Sequence, residues 1–414
     1  MNSSFTYNGY HFVDNDKFKS IHSPNFNLFF NKDTGYAERW GKTRADEDDP
    51  VFSEIGPTIV DMELSKDIQE YEVDRYKNEV KVENKTCLGK CPMCYKSNGI
   101  SVKQSHIMTL LKFKEILMKV CNTHIKIDNK LIYFLDTINY KGKTIKAIDY
   151  PELNWDTDIC NCSPVLQLAL GITNLDTNPE LLQICEFAKN KMGVIPNVTC
   201  HGRDEVSDDF LDRLCELCGN VAVSRYDKEK TYNFIEKLHY CGAKQINMHV
   251  FVSNETVNDV IDAFKDIQTD RRLKYLTNVV LLFLKQKGRG KRFSRLSDEN
   301  FVKIFNYALD NGIKFGFDIC CSHRFDNFIS KYHNQELNFP QVYDVCDSGR
   351  FSAYVNSLGE YCPCSFIEDD GIWNPGPSVL KCHNFIDEIW NGDLSDLYKT
   401  MLLSNNNSCI YYEI

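Results

Sequence analysis

From Thr58 onward the apolar positions alternate between two periods. Short continuous apolar runs have the length of buried strands. Between them, apolar residues recur every three or four positions, as on one face of a helix. The strands expected are TIVDMELS (58–65), VLQLAL (165–170), residues 194–200, VAVSRY (221–226), INMHVFV (246–252), NVVLLFLK (278–285) and KFGFDIC (314–320). The helices expected cover 101–121, 179–191, 207–218, 228–240, 253–264 and 297–311. Ser207, followed by Asp208 and Asp209, marks a helix start, because its hydroxyl accepts from a free backbone N–H and the acids suit the positive end of the helix dipole. Strand–helix alternation predicts parallel pairing through right-handed crossovers, and largely apolar strands predict a sheet covered on both faces. Six or seven such units predict an α/β fold built on a partial (β/α)6 TIM-like barrel, short of the eight units of a full one.

The flanks break this rhythm. Residues 1–57 are rich in aromatic residues, Asn and Asp (Phe26, Phe29, Phe30, Tyr36, Trp40) and read as a β-rich N-terminal extension with an Asp-rich loop over 45–50. The charged stretch 66–85 reads as a solvated excursion. Residues 122–162 alternate in polarity around a Lys-Gly turn and read as an inserted β-meander in a core spanning 58–319. From 320 to 414 the rhythm gives way to a small cysteine-rich module.

Composition narrows the classes. The chain has 414 residues, 43% apolar and 26% charged, as in an ordinary folded protein. Its longest strongly apolar run, 279–284, is far short of the ~20 residues of a membrane helix. The polar N-terminus lacks the basic start and apolar core of a secretory signal, so a cytoplasmic location is expected and no membrane partner. A net charge of −10 argues against general binding of nucleic acid. The outlier is cysteine, with 18 copies. In a reducing compartment thiols mean metal, catalysis or core packing rather than disulfides.

Spacing separates these roles. Cys87-Leu-Gly-Lys-Cys91-Pro-Met-Cys94-Tyr95 is a C-x3-C-x2-C loop just after the first core strand. Three thiolates on one short loop suit three corners of a cubane cluster and leave the fourth iron open. The spacing, the apolar Met93 and the aromatic Tyr95 resemble the signature loop of the radical S-adenosylmethionine (radical SAM) superfamily. The wording from DTGYAERWGK (33–42) to CPCSF resembles uncharacterised bacterial and phage members, over most of the chain from Asn31 except 122–162.

The resemblance implies a [4Fe-4S] cluster on Cys87, Cys91 and Cys94, with SAM bound at the open iron. Its further contacts would come from Tyr95 and strand ends. The second strand runs into Gly171, Thr173, Asn174 and Asp176, a departure from the family's Gly-Gly-Glu-Pro wording. The third ends in VTCHGR (198–203), the fourth offers Ser224 and Arg225, the fifth Asn247, His249 and Ser253, and the sixth Lys285. Reductive cleavage of SAM would give a 5′-deoxyadenosyl radical that abstracts hydrogen from a substrate, with a flavodoxin or ferredoxin as reductant. The C-terminal pattern C-x12-G-x4-C, with FSAYVNSLGEYCPC as a hairpin turning at Leu358-Gly359, resembles a truncated SPASM or twitch module. Such a module implies a second, auxiliary [4Fe-4S] cluster on Cys320, Cys346, Cys364 and Cys409, with Cys321 and Cys362 as alternates. A four-cysteine zinc site needs the same thiolates.

The substrate expected is a peptide or protein side chain. A small metabolite or nucleotide is the rival, and a non-catalytic cluster- or zinc-binding protein a third reading. Cys215 and Cys218 read as core of a helix. The basic run Lys287, Arg289, Lys291 and Arg292 reads as solvated surface.

Overall fold

The computed structural model describes residues 3–42, 50–68, 82–83, 85–96, 104–332, 345–406 and 408–413. The expected Asp-rich loop at 45–50 lies almost wholly outside them. The core is a nine-stranded sheet. From one edge its order is Phe315–Phe317, Asn278–Phe283, Ile246–Val252, Asn220–Ser224, Ile195–Cys200, Gln167–Gly171 and Ile59–Glu63, then Ser352–Val355 and Tyr361–Cys362. Strands from Ile59–Glu63 to Phe315–Phe317 pair in parallel, in chain order. The two edge strands are not paired with each other, so the sheet is open and no barrel closes.

Local chemistry sets these elements. Ser207 caps the helix Asp208–Leu217, accepting from Phe210 N at 3.2 Å, and Ser297 caps Asp298–Asp310 in the same way. In Ile246–Val252 buried and half-buried residues alternate strictly. One face joins the helices in the main core, through residues such as Met248, Val250, Ile235 and Phe264. The other face is polar and only partly covered, which corrects the expectation of two apolar faces. It carries Asn197, Thr199, Asn247 and His249 around a cavity of about 350 Å³, which residues 32–35 of the N-terminal extension also line.

That extension is a five-stranded antiparallel meander whose Phe12, Ile21, Leu28 and Phe30 pack with Leu166, Ile195 and Phe351. Within 122–162, Thr123–Ile127, Lys130–Tyr133 and Ile159–Asn161 form a small sheet beside a hairpin turning at Lys141-Gly142, where Gly142 has φ +82°. Most of 66–85 lies outside the described residues, but its start is not a solvated excursion. Ser65–Asp67 is a buried strand paired with Ser105–Ile107. The C-terminal hairpin does form, with Gly359 at φ +84°, and its first strand runs parallel to Ile59–Glu63, joining the core sheet. Among the described residues no helix is long and apolar enough to cross a membrane.

Candidate functional site: two cysteine centres at the strand ends

The loop 87–94 is held from below by the carboxyl ends of the core strands. Cys87 N donates to both Asp67 carboxylate oxygens, at 3.3 and 3.0 Å. After the second strand, Asn174 straddles Cys87. Its Oδ1 accepts from Leu88 N at 2.7 Å and its Nδ2 donates to Thr86 O at 2.9 Å. After the third strand, His201 Nδ1 accepts from Arg203 N at 3.1 Å, so Nε2 carries the proton and donates to Asn174 Oδ1 at 3.0 Å. Burial lowers the His201 pKa and favours this neutral form. Arg203 donates to Gly89 O at 2.9 Å. After the sixth strand, Arg289 grips Cys91 O with Nε at 2.9 Å and Nη2 at 2.6 Å.

Glycine makes two close approaches possible. A Cβ on Gly89 would stand 3.2 Å from Cys91 Sγ and 3.3 Å from Cys87 Sγ, so both sulfurs flank the same bare backbone. Gly288, at φ +54°, lies against the loop's far end, where a Cβ would meet Tyr95 O at 2.4 Å. Burial pushes the Cys87 thiol up to about 12 and Cys91 to about 11. Backbone N–H groups of Gly89 and Lys90 aim at the Cys87 sulfur, and the Tyr226 hydroxyl bonds the Cys91 sulfur.

The SAM-contact candidates divide. Thr173 is buried and its hydroxyl bonds Ser65 and Thr177, so it and Asn174 are spent on holding the cysteine loop. Gly171 packs on the first strand, where a built Cβ would touch Met62 O at 3.7 Å in ordinary van der Waals contact. Asp176 pairs with Lys85 at the surface, at 2.8 Å. Arg225 lines a cavity of about 760 Å³ with Pro92, Met93 and Tyr226, while its Nε is committed to Tyr232 at 3.0 Å. Ser224 lies buried beneath it, bonded to Tyr226. Asn247 and His249 face the lower cavity instead, and Asn247 Oδ1 is buried without a partner. Ser253 caps the turn that follows its strand.

Lys285 stands elsewhere than expected. It is 5% exposed, its ammonium is paired with Asp318, and it lies 4.8 Å over the Phe366 ring. Burial alone would lower its pKa, but Asp318, Cys320 and Cys364 together raise it. The basic run is only half solvated: Lys291 and Arg292 are exposed, whereas Arg289 is 7% exposed and Lys287 Nζ donates to Phe366 O at 3.0 Å.

Lys285 therefore belongs with the second cysteine set. Cys320 lies within electrostatic reach of Cys346 and Cys409, Cys346 of Cys364 and Cys409, and Cys364 of Cys320 and Cys409. Backbone N–H groups point at the sulfurs, from Phe366 to Cys364 at 3.5 Å, from Tyr412 to Cys409 at 3.3 Å and from Ser348 to Cys346. Burial raises the Cys320, Cys346 and Cys364 thiols to about 12 each. The alternates lie close by: Cys321 is buried in the core within electrostatic reach of Cys320, and Cys362 faces Lys96, Glu360 and Asp369 as well as Cys364. Among the described residues no three His, Cys, Asp or Glu side chains converge as one metal ion requires. A single zinc needs four ligands within about 2.3 Å of one point, whereas a cubane takes each thiolate on a different iron.

The two sets are joined. The Tyr95 ring packs 4.5 Å from the Phe366 ring. Lys96 bonds the Tyr354 hydroxyl at 2.6 Å and pairs with Glu63 at 3.2 Å and with Glu368. Sequence reasoning missed Asp67, Arg203, Tyr226 and the buried role of Arg289. The turn HGR (201–203) was the visible signal for one of them.

No family model matches the chain, and no curated protein matches it. Solved structures do. SuiB of Streptococcus suis bound to precursor peptide SuiA matches over 94% of this chain and 90% of that one, with a TM-score of 0.54 at 10% identity. SuiB bound to S-adenosylmethionine matches over 83% of this chain and 66% of that one, with a TM-score of 0.46 at 11% identity. BtrN in complex with AdoMet and 2-DOIA matches over 83% and 86%, with a TM-score of 0.35 at 12% identity. The match to the peptide-bound SuiB is one of fold.

Proposed function

We propose that this chain is a radical SAM enzyme that modifies a side chain of a peptide or protein. The observation that carries the reading is the loop 87–94. It presents Cys87 and Cys91 sulfurs on either side of Gly89 and is gripped by residues from the first, second, third and sixth strand ends. Functional groups of open parallel sheets gather at that end. Cys87, Cys91 and Cys94 would hold a [4Fe-4S] cluster, and Cys320, Cys346, Cys364 and Cys409 a second. With SAM bound, such a cluster supplies one-electron cleavage of the sulfonium to a 5′-deoxyadenosyl radical, which removes a hydrogen atom from substrate.

The chain's own residues supply position and dryness. Asn174, Arg203 and Arg289 occupy the loop's peptide groups, so the cysteines cannot swing away. Arg289 also places a positive charge near Cys91, which favours the thiolate. The cavity beside Met93, Arg225 and Tyr226 is large enough for a nucleoside. The fold shared with peptide-bound SuiB supports a peptide as substrate over a small metabolite. A flavodoxin or ferredoxin would deliver the electron.

The test is chemical. Anaerobically reconstituted protein with reductant and SAM is expected to release 5′-deoxyadenosine, and Cys87→Ala is expected to abolish it and to lower bound iron by half. Protein that binds zinc alone, or that forms an intact cluster yet releases no 5′-deoxyadenosine, would refute the enzyme reading.

A further inference from the structure

Lys285 and Asp318 form a buried charge pair that the radical chemistry above leaves unused. Asp318 lies two residues before Cys320, and Phe283 N donates to its Oδ2 at 2.9 Å. The same oxygen meets the Lys285 ammonium, while Oδ1 is buried with no hydrogen-bond partner. Lys285 reaches the set from the end of the sixth strand and Asp318 from the end of the strand beyond it, so neither can drift. Both charges act on the Cys320 sulfur. The ammonium favours the thiolate of Cys320 and the carboxylate opposes it. Lys285 also faces Cys364, and its stem lies against Phe366, whose N–H points at the Cys364 sulfur. Of the other polar groups nearby, Lys287 and Tyr412 are bonded to Phe366 O and Asp370, while Asp61 faces Cys364 and Asp347 faces Cys346.

A buried charge next to a cluster changes its potential directly, because reduction adds one negative charge in a medium that screens poorly. We infer that Lys285 and Asp318 set the reduction potential of the auxiliary centre in opposite directions, Lys285 raising it and Asp318 lowering it. The inference rests on the proposed auxiliary cluster. With its potential balanced between the two charges, that centre takes one electron from the product radical. The radical is oxidised by one electron, the centre is reduced by one, and the proton leaving the product passes to water.

The experiment uses full-length protein reconstituted anaerobically with iron and sulfide, with redox titrations followed by EPR. Cys346→Ala identifies the auxiliary signal by removing it. Lys285→Gln is expected to lower the auxiliary potential and Asp318→Asn to raise it. Each shift should be at least a tenfold change in the reduction equilibrium, 59 mV for a one-electron couple. Lys285→Arg, which keeps the charge, is expected to stay within that range. Potentials that do not move in either neutral variant, or that move in the same direction, overturn the inference. Where one variant fails to load iron, the sign of the other decides. Loss of neither iron nor signal in Cys346→Ala would instead defeat the auxiliary cluster itself.

Discussion

A single amide carries much of the cysteine loop. Asn174 is 4% exposed and meets Leu88 N, Thr86 O, Thr177 and His201 at once. Removing it strands two part-buried partners, the Leu88 N–H and the Thr86 carbonyl, which lose a hydrogen bond each at about 0.5–1.5 kcal/mol, together with the Thr177 and His201 contacts. Asn174→Ala is therefore expected to lower stability by about 2–4 kcal/mol, read by urea denaturation. It should also lower iron uptake at the first centre, read by iron analysis with the second centre as internal reference. Asn174→Asp keeps the acceptor for Leu88 N and should fall between. Gly288 makes the complementary case. A Cβ there meets backbone oxygens at 2.4 and 2.7 Å, and φ is +54°, so neither neighbour is a flexible side chain that can yield. Gly288→Ala is expected to cost about 1–3 kcal/mol and to broaden the EPR signal of the first centre. Stability equal to wild type would show that the basic loop moves freely against the cysteines.

At the scale of elements, the strand–helix rhythm was legible because each strand buries one regular face and each helix one stripe. The strand Ile246–Val252 and the helix Lys228–Tyr240 fall where periodicity places them. Pairing between distant segments was not legible. Nothing in the local pattern of 352–355 says that it lies beside 59–62, almost three hundred residues earlier in the chain. The same blindness hid the role of Lys96, since its partners Glu63, Tyr354 and Glu368 come from three segments. Likewise Lys285 reads as a strand-end cation until Asp318 is set beside it. Lys96 is the bolt of that seam. Burial lowers its pKa, and although burial alone would raise Glu63, Lys96 and Lys66 hold that carboxylate below its ordinary range. Side-chain exposure is 9% for Lys96, 7% for Glu63 and 4% for Glu368. Breaking a buried pair from one side costs about 3–5 kcal/mol, because a charge is left alone. Lys96→Met is expected to lose about that much, and Lys96→Met with Glu63→Gln to recover part of it. Additive losses in the double variant would mean that the seam is held by packing alone.

Across the whole molecule, the polar inner face of the open sheet has an acid–base consequence. Asp61 lies on the first strand and His249 on the fifth. Burial alone pushes the Asp61 carboxyl up to about 6 and the His249 imidazole down to about 4. Each shift, taken at 1.36 kcal/mol per pH unit, is worth about 3 kcal/mol. The signs oppose. Asp61 binds its proton more tightly folded than unfolded, so its contribution is harmless below about pH 4 and lost as pH rises to about 6. His249 binds its proton less tightly folded, so its contribution is harmless above about pH 6.5 and lost as pH falls to about 4. In the native chain the two slopes offset one another over that window. Asp61→Asn is expected to uncover the histidine, giving stability that climbs by about 3 kcal/mol between pH 4 and 6.5 and a gain over wild type at pH 8. His249→Gln should uncover the carboxyl, with stability falling over the same range. Urea midpoints at several pH values separate these outcomes. Parallel curves for wild type and both variants would place the two side chains in water rather than on a desolvated inner wall.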